Sequence, residues 1–151
     1  MIILGELERK EKKGHLTRKA AQTITKNDAR ALEYTLSSGC PDTPDGLTEE
    51  LRLACNGRGL RPRGLVDYDR TPFVCHSGNT RITIDENLRT RPYIAHLFAS
   101  PRAMIPVLDP DQVILEVKFD DFLPGHLAGA LADIPKAPMA ISKFALCMNF
   151  I

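Results

Sequence analysis

The chain has 151 residues, of which 43% are hydrophobic and 26% charged, and its formal net charge is +1. These values fit one globular domain with a sizeable core, and they give no bulk charge that would favour nucleic acid or a membrane surface as a partner. No apolar run approaches the ~18 residues of a membrane span, and the first residues lack the order of charges found in a signal peptide. The sequence therefore predicts a cytoplasmic protein without a membrane segment.

The cysteines and histidines show no metal-binding spacing. The sequence has no CxxC pair and no histidine at zinc spacing from a cysteine. We therefore expect free thiols in a reducing compartment and structural or solvated histidines. The residues concerned are Cys40, Cys55, Cys75 and Cys147, and His15, His76, His96 and His126.

The first part of the chain predicts a hairpin followed by two helices. Residues 2–11 and 16–24 have strand character and are joined by a turn at 12–15. Thr25 or Asn27 can cap a helix that runs to about Ser37. A loop at 40–46 precedes a second helix over 48–56, which Gly57 and Gly59 end.

The second part is rich in strand signals. Residues 65–74 predict one or two strands broken near Pro72, residues 77–79 a turn, and residues 80–85 an alternating strand. Residues 104–108 predict a further strand, residues 109–111 a turn, and residues 113–119 the clearest strand. Pro124 can start a helix that runs to about Ala132.

Ionisable residues share one face on several of these strands. Glu116 and Lys118 point the same way, as do Arg81, Thr83 and Asp85. The opposite faces need a core: Ile82, Ile84, Leu115, Val117 and Phe119. Residues 52–102 also contain nine arginines and no lysine, a composition suited to gripping phosphate. The charged faces either line a tunnel for a metal-bridged polyanion or carry ion pairs on a solvated sheet.

A set of ordered motifs resembles the vacuolar transporter chaperone (VTC) domain, the polyphosphate-polymerase type among the triphosphate tunnel metalloenzymes of the CYTH-like superfamily. The motifs are Tyr68-Asp69-Arg70, the segment Arg81-Ile82-Thr83-Ile84-Asp85 with Leu88-Arg89, Leu115-Glu116-Val117-Lys118, and Ser142-Lys143-Phe144. Phe144 stands where the family usually has tyrosine. The resemblance covers most of the chain, and residues 7–10 and 18–19 match it more loosely.

The resemblance implies an α+β fold with an antiparallel β tunnel, or barrel, and flanking helices. It also implies a function: polyphosphate polymerase-like phosphoryl transfer from a nucleoside triphosphate such as ATP, dependent on Mn²⁺ or Mg²⁺. Carried over to this chain, the phosphate ligands are Lys10, Lys19, Arg70, Arg81, Lys118 and Lys143, and Arg70, Arg81 and Lys118 are also catalytic. Glu116 is the implied metal ligand, and Tyr68 and Ser142 support the phosphate site by hydrogen bonding.

Each of these assignments has a plainer alternative. Glu116 could pair only with Lys118, and Arg81 could pair with an acid on a neighbouring strand. Lys143 could be a solvated tail residue, and Lys10 and Lys19 simple hairpin surface charges. Asp85 is either a second metal ligand or, as we prefer, a residue that orders the following turn through Asn87.

The family usually has further strands before the position of Met1. The sequence is therefore interpreted as one domain over residues 1–151 that represents the latter two thirds of the family domain. Open sheet edges would then be covered by another copy of the chain, as a homo-oligomer, or the chain is a fragment or degenerate product. Two other functions remain open: a triphosphatase of the same superfamily, and a non-catalytic polyphosphate- or anion-binding module.

Overall fold

A computed structural model describes residues 4–14, 16–38, 46–92, 104–135 and 139–151. Of the predicted loop at 40–46, only Gly46 lies within these ranges, at the start of a helix, and His15 and His96 lie outside them. Internal contacts divide the chain into two compact units: the first includes the described residues up to Arg63 and the second those from Gly64 onward.

The first unit contains the predicted hairpin. Strand β1 (Leu4–Lys13) pairs antiparallel with β2 (Leu16–Thr25) over their full length. Gly14 in the connection has φ 61°, a conformation that favours glycine over other residues. The register places Lys10 directly opposite Lys19, so the two side chains project from the same face of the hairpin.

Two helices follow in the same unit. Helix α1 (Lys26–Ser38) starts directly after Thr25, whose hydroxyl accepts a 3.2 Å hydrogen bond from the Asp28 backbone N–H. The Asp28 carboxylate in turn accepts from the Thr25 backbone N–H at 2.8 Å, which completes a reciprocal cap. Helix α2 (Gly46–Arg58) ends at Gly59, where φ is 66° and Leu60 N–H donates to the Ala54 carbonyl.

The second unit is built on one antiparallel sheet. Strand β3 (Gly64–Cys75) pairs with β4 (Thr80–Pro92), and β4 also pairs with the short β5 (Ile105–Pro106) and with β6 (Ile114–Lys118). Pro72 does not break β3 as expected. Among the described strands β3 pairs only with β4, so its other edge is open and the missing proline N–H removes no ladder bond there.

A β-bulge divides β4 into two halves of opposite phase. Asp67 pairs with Arg89 and Asp69 with Glu86, so Asn87 and Leu88 together face the single residue Tyr68. Asn87 has φ 52°, and its side-chain amide donates to the Asp69 carboxylate at 2.8 Å. The extra residue brings Leu88 and Thr90 onto the sheet face that Arg81, Thr83 and Asp85 already occupy.

The core of this unit lies on that same face. Leu88, Ile114 and Cys147 form a buried cluster, and Cys147 comes from helix α4 (Lys143–Met148). The core that we expected on the opposite face is not closed by the described residues. There Ile82, Ile84, Leu115 and Val117 stay half-buried and Phe119 is exposed. A further α-helix, α3 (Gly125–Ala132), begins after Pro124 as predicted.

The predicted α+β class with antiparallel pairing is therefore confirmed. The predicted tunnel is not confirmed. The described strands form one two-stranded and one four-stranded sheet and close no barrel. Of the helices in the described ranges, none has both the length and the apolar character needed to span a bilayer.

Candidate functional site

The strand register of the second unit brings four of the predicted site residues onto one sheet face: Arg70, Arg81, Glu116 and Lys118. Directly opposed residues in an antiparallel pair project to the same side. Arg70 on β3 opposes Asp85 on β4, while the β4 residues Thr83 and Arg81 oppose Glu116 and Lys118 on β6. The charges thus occupy one end of the face and the Leu88 core occupies the other.

Asp85 is the centre of the charged end. Its side chain is 0% exposed, and Arg70 grips it with two N–H groups, from Nε at 2.6 Å and from Nη2 at 2.8 Å. Lys143 Nζ reaches the same carboxylate at 2.7 Å. The hydrogen bonds from Arg70 are the main cause that lowers the pKa of Asp85, and Lys143 adds to it against the opposing effect of burial. Asp85 is therefore held as an anion between two cations.

The ring of Tyr68 supports both cations. The guanidinium carbon of Arg70 lies 5.1 Å from the ring centroid, and Lys143 Nζ lies 5.3 Å from it. Both distances are within the range of a cation–π attraction. Tyr68 thus contributes through its ring, whereas the sequence predicted a hydrogen bond.

Glu116 and Lys118 form the second ionic group. Their side chains pair at 2.9 Å and are 36% and 64% exposed. The Lys118 hydrogen bond is the largest cause lowering the pKa of Glu116, and the charges of Lys143 and Arg70 add to it. The simple pair with Lys118 is therefore present. Glu116 nevertheless keeps an accessible carboxylate within the electrostatic reach of two further cations.

Two side chains near Glu116 lack a favourable partner among the described residues, Thr83 for its hydroxyl and Arg81 for its charge. Thr83 is buried, and its hydroxyl has no hydrogen-bond partner among the described residues. Arg81 opposes Lys118 directly, with Val74 on its other side, so two like charges adjoin on exposed surface. No acid pairs with Arg81 within the described ranges, contrary to the plainer interpretation of its sequence pattern. An anion placed there would relieve this repulsion.

Helix α4 brings Lys143 into the site. Ser142 caps the helix, since its hydroxyl accepts from the Ala145 N–H at 3.2 Å. The Lys143 side chain is only 19% exposed, so the alternative of a solvated tail residue is wrong. In the described structure the Ser142 hydroxyl is engaged in the cap and supports the site by fixing the start of α4.

Lys10 and Lys19 lie in the first unit, on the hairpin. Both are largely exposed, and both pair with Glu8. These hydrogen bonds, from Lys19 first and Lys10 second, lower the pKa of Glu8. Lys10 and Glu8 also line a cleft of about 250 Å³ whose other walls are largely apolar. The hairpin arrangement fits the surface-charge alternative, and a phosphate-binding role for these two lysines stays a prediction.

The metal prediction depends on Glu116. The described residues contain no group of three or more histidines, cysteines or acids that could hold a metal by themselves. Asp85 is unsuited to a second metal-ligand role because it is fully buried and already binds Arg70 and Lys143. One accessible carboxylate still fits Mg²⁺ or Mn²⁺, because such ions commonly take one or two protein carboxylates and complete their shell with phosphate oxygens and water.

The role of Asp85 is the part of the site that sequence reasoning missed. We expected Asp85 to order a following turn through Asn87. That expectation is wrong, because the strand continues through a bulge in which Asn87 binds Asp69 instead. The available signal was the spacing of Arg81, Thr83 and Asp85, which places an acid on the same strand face as the predicted phosphate ligand Arg81.

The model of the VTC domain matches residues 5–151, nearly the whole chain, so this chain belongs to the VTC domain family. Searches of curated proteins and of solved structures returned no significant match.

Proposed function

From this family membership, we propose that the chain binds the phosphates of a nucleoside triphosphate and of polyphosphate and transfers phosphoryl groups between them. The family is associated with polyphosphate. The observation that carries the proposal is the sheet face that Arg70, Arg81 and Lys118 share with Glu116, and that Lys143 reaches from α4 through Asp85. Such a face suits a chain of phosphates, each of which needs charge neutralisation and several N–H donors.

The chemistry asked of these residues is positioning and charge stabilisation. Phosphoryl transfer needs little covalent participation from the protein. Arg70 and Lys143 are fixed in place by Asp85, so they can orient phosphates at low entropic cost. Arg81 and Lys118 are exposed and can close on an anion. Glu116 would hold Mg²⁺ or Mn²⁺, which when bound neutralises oxygens of adjacent phosphates.

We also propose that the charged face forms part of a β tunnel. The family resemblance implies that strands close around the phosphate chain, and the charged face described here would then line part of the interior. A second copy of the chain would supply the rest.

Two measurements test the proposal. The chain is incubated with ATP and Mn²⁺, and phosphorus NMR follows the appearance of polyphosphate; calorimetry with tripolyphosphate measures binding. Glu116→Gln is expected to abolish product. Glu86→Gln is the matched control, because Glu86 is an exposed acid on the opposite face of β4, and it should behave as the unmodified chain.

The outcomes separate the alternatives. Phosphate release without chain growth would indicate a triphosphatase, and binding without turnover would indicate a binding module. A ligand at about 100 times its dissociation constant stabilises a fold by about 2.7 kcal/mol. If the folded chain shows no thermal shift with tripolyphosphate up to millimolar concentrations, the phosphate-binding proposal is wrong.

A further inference from the structure

The Asp85 carboxylate differs from that of a surface ion pair in its burial and in its number of cationic partners. It is completely buried and receives donors from two distant parts of the chain, Arg70 on β3 and Lys143 at the start of α4. Burying a carboxylate is costly unless it is paired and hydrogen-bonded. The arrangement thus fixes two cations relative to each other and to the sheet.

The Asp85 contact leaves part of each cation available. Arg70 uses Nε and Nη2 toward Asp85, and a guanidinium carries five N–H donors in a planar fork. The edge that includes Nη1 is not engaged by Asp85. Lys143 likewise has three N–H donors, of which the contact to Asp85 requires one. Both side chains can therefore bind Asp85 and a phosphate at once.

We propose that Asp85 is a positioning residue for phosphate binding, which holds Arg70 and Lys143 in a fixed spacing over the Tyr68 ring so that their outward N–H groups form one preorganised phosphate subsite. This inference deepens the proposed function and rests on it. Asp85 itself does not touch the phosphate, since an anion beside an anion would be repelled.

The positioning role and a simple charge effect predict opposite signs. Asp85→Asn removes one negative charge beside the phosphates, so simple electrostatics predicts tighter binding of an anion. Loss of positioning predicts weaker binding, because the guanidinium and ammonium groups lose their common anchor. We expect the dissociation constant for tripolyphosphate to rise about tenfold, the change that corresponds to one charge-assisted hydrogen bond.

The experiment is calorimetry with tripolyphosphate on the full chain, with circular dichroism to confirm folding. Asp67→Asn is the matched control, since Asp67 pairs with Arg89 at 2.7 Å on the opposite face of the same sheet. Weaker binding by Asp85→Asn alone supports the proposal. Equal or tighter binding by Asp85→Asn overturns it. Absence of binding by the unmodified chain would instead count against the proposed function.

A second variant keeps the test decisive if Asp85→Asn fails to fold. Arg70→Lys keeps the charge. A single ammonium cannot replace the planar guanidinium, which has one edge for Asp85 and another for phosphate. We expect about tenfold weaker tripolyphosphate binding, with the salt bridge to Asp85 retained. Affinity equal to that of the unmodified chain would mean that the anchored guanidinium geometry is not needed, and the positioning role would be wrong.

Discussion

Thr83 and Asp85 are both buried on β4, two residues apart. They differ in whether their polar atoms have hydrogen-bond partners. Asp85 has donors from two cations, whereas the hydroxyl of Thr83 has no partner within the described part of the chain. A buried polar group normally finds a hydrogen bond, and one without a partner destabilises the fold. Thr83 opposes Glu116 on the next strand, so this unsatisfied hydroxyl is buried beside the proposed metal ligand.

Thr83→Val tests this interpretation. Valine has nearly the shape of threonine without the hydroxyl, so the change removes an unsatisfied group from the buried site. We expect the free energy of unfolding of the ligand-free chain to rise by about 1 kcal/mol, measured by urea denaturation. A fall of similar size would mean that the hydroxyl does have a partner in the folded chain.

Asp85 also makes stability depend on pH. Its pKa in the folded chain is lowered, chiefly by Arg70, whereas the pKa of an unfolded aspartate is about 3.9. The ionised form is thus favoured by folding, and its contribution is complete above the unfolded pKa and is lost as the pH falls through the lower folded pKa. We expect unfolding free energies to decline below about pH 4.

Urea denaturation between pH 7 and pH 3 measures this dependence. Asp85→Asn should give a less stable chain whose stability falls less steeply with acid, because asparagine does not titrate. Asp67→Asn is the control, since Asp67 is about half exposed and pairs only at the surface. Equal acid slopes for the unmodified chain and for Asp85→Asn would contradict the expectation.

At the scale of elements, the bulge in β4 decides which residues share a face. A regular strand would place Leu88 opposite in phase to Asp85, and the core and the charged cluster would lie on different faces. The extra residue at Asn87 restores a common face. In the sequence, this bulge corresponds to the odd spacing between Asp85 and Leu88. Alternation alone does not predict that the two residues share a face.

The short helix α4 is the second element that the site depends on. Its cap by Ser142 and the burial of Cys147 fix it against β3 and β4. Ser142→Ala removes the capping acceptor and should cost about 1 kcal/mol of stability. Because Lys143 is the next residue, tripolyphosphate affinity should also fall. Ser142→Asp, which retains a capping oxygen, should preserve stability. If Ser142→Ala matches the unmodified chain in thermal unfolding, the cap is unimportant.

At the scale of the whole molecule, a net charge of +1 conceals a sheet face on which cations outnumber acids. Screening by salt weakens interactions of exposed charges, with a Debye length of about 10 Å at 0.1 M. We expect tripolyphosphate binding to weaken steeply as salt rises, and Arg81→Ala to reduce that dependence. Arg89→Ala, on the opposite face and paired with Asp67, should not. Isothermal titrations at several salt concentrations measure both, and identical slopes for the two variants would exclude Arg81 as a phosphate ligand.

The division into one domain or two units is also a property of the whole molecule. The sequence was interpreted as one domain, and the family model spans both units. Whether the units act as one domain stays a prediction, as do the homo-oligomer and the cytoplasmic location.

Much of this protein is determined by local sequence. Alternation predicted two strands, because side-chain direction in a strand has a period of two. In β4 it placed Arg81, Thr83 and Asp85 on one face, and in β6 it placed Glu116 and Lys118 on one face. The hairpin, the Thr25 cap and the start of α3 also follow from local signals. Only the tertiary structure decided that Asp85 anchors Arg70 and Lys143, and that the core lies on the charged face. Those outcomes depend on strand register, on the bulge at Asn87 and on the docking of α4, all of which join residues that are distant in sequence.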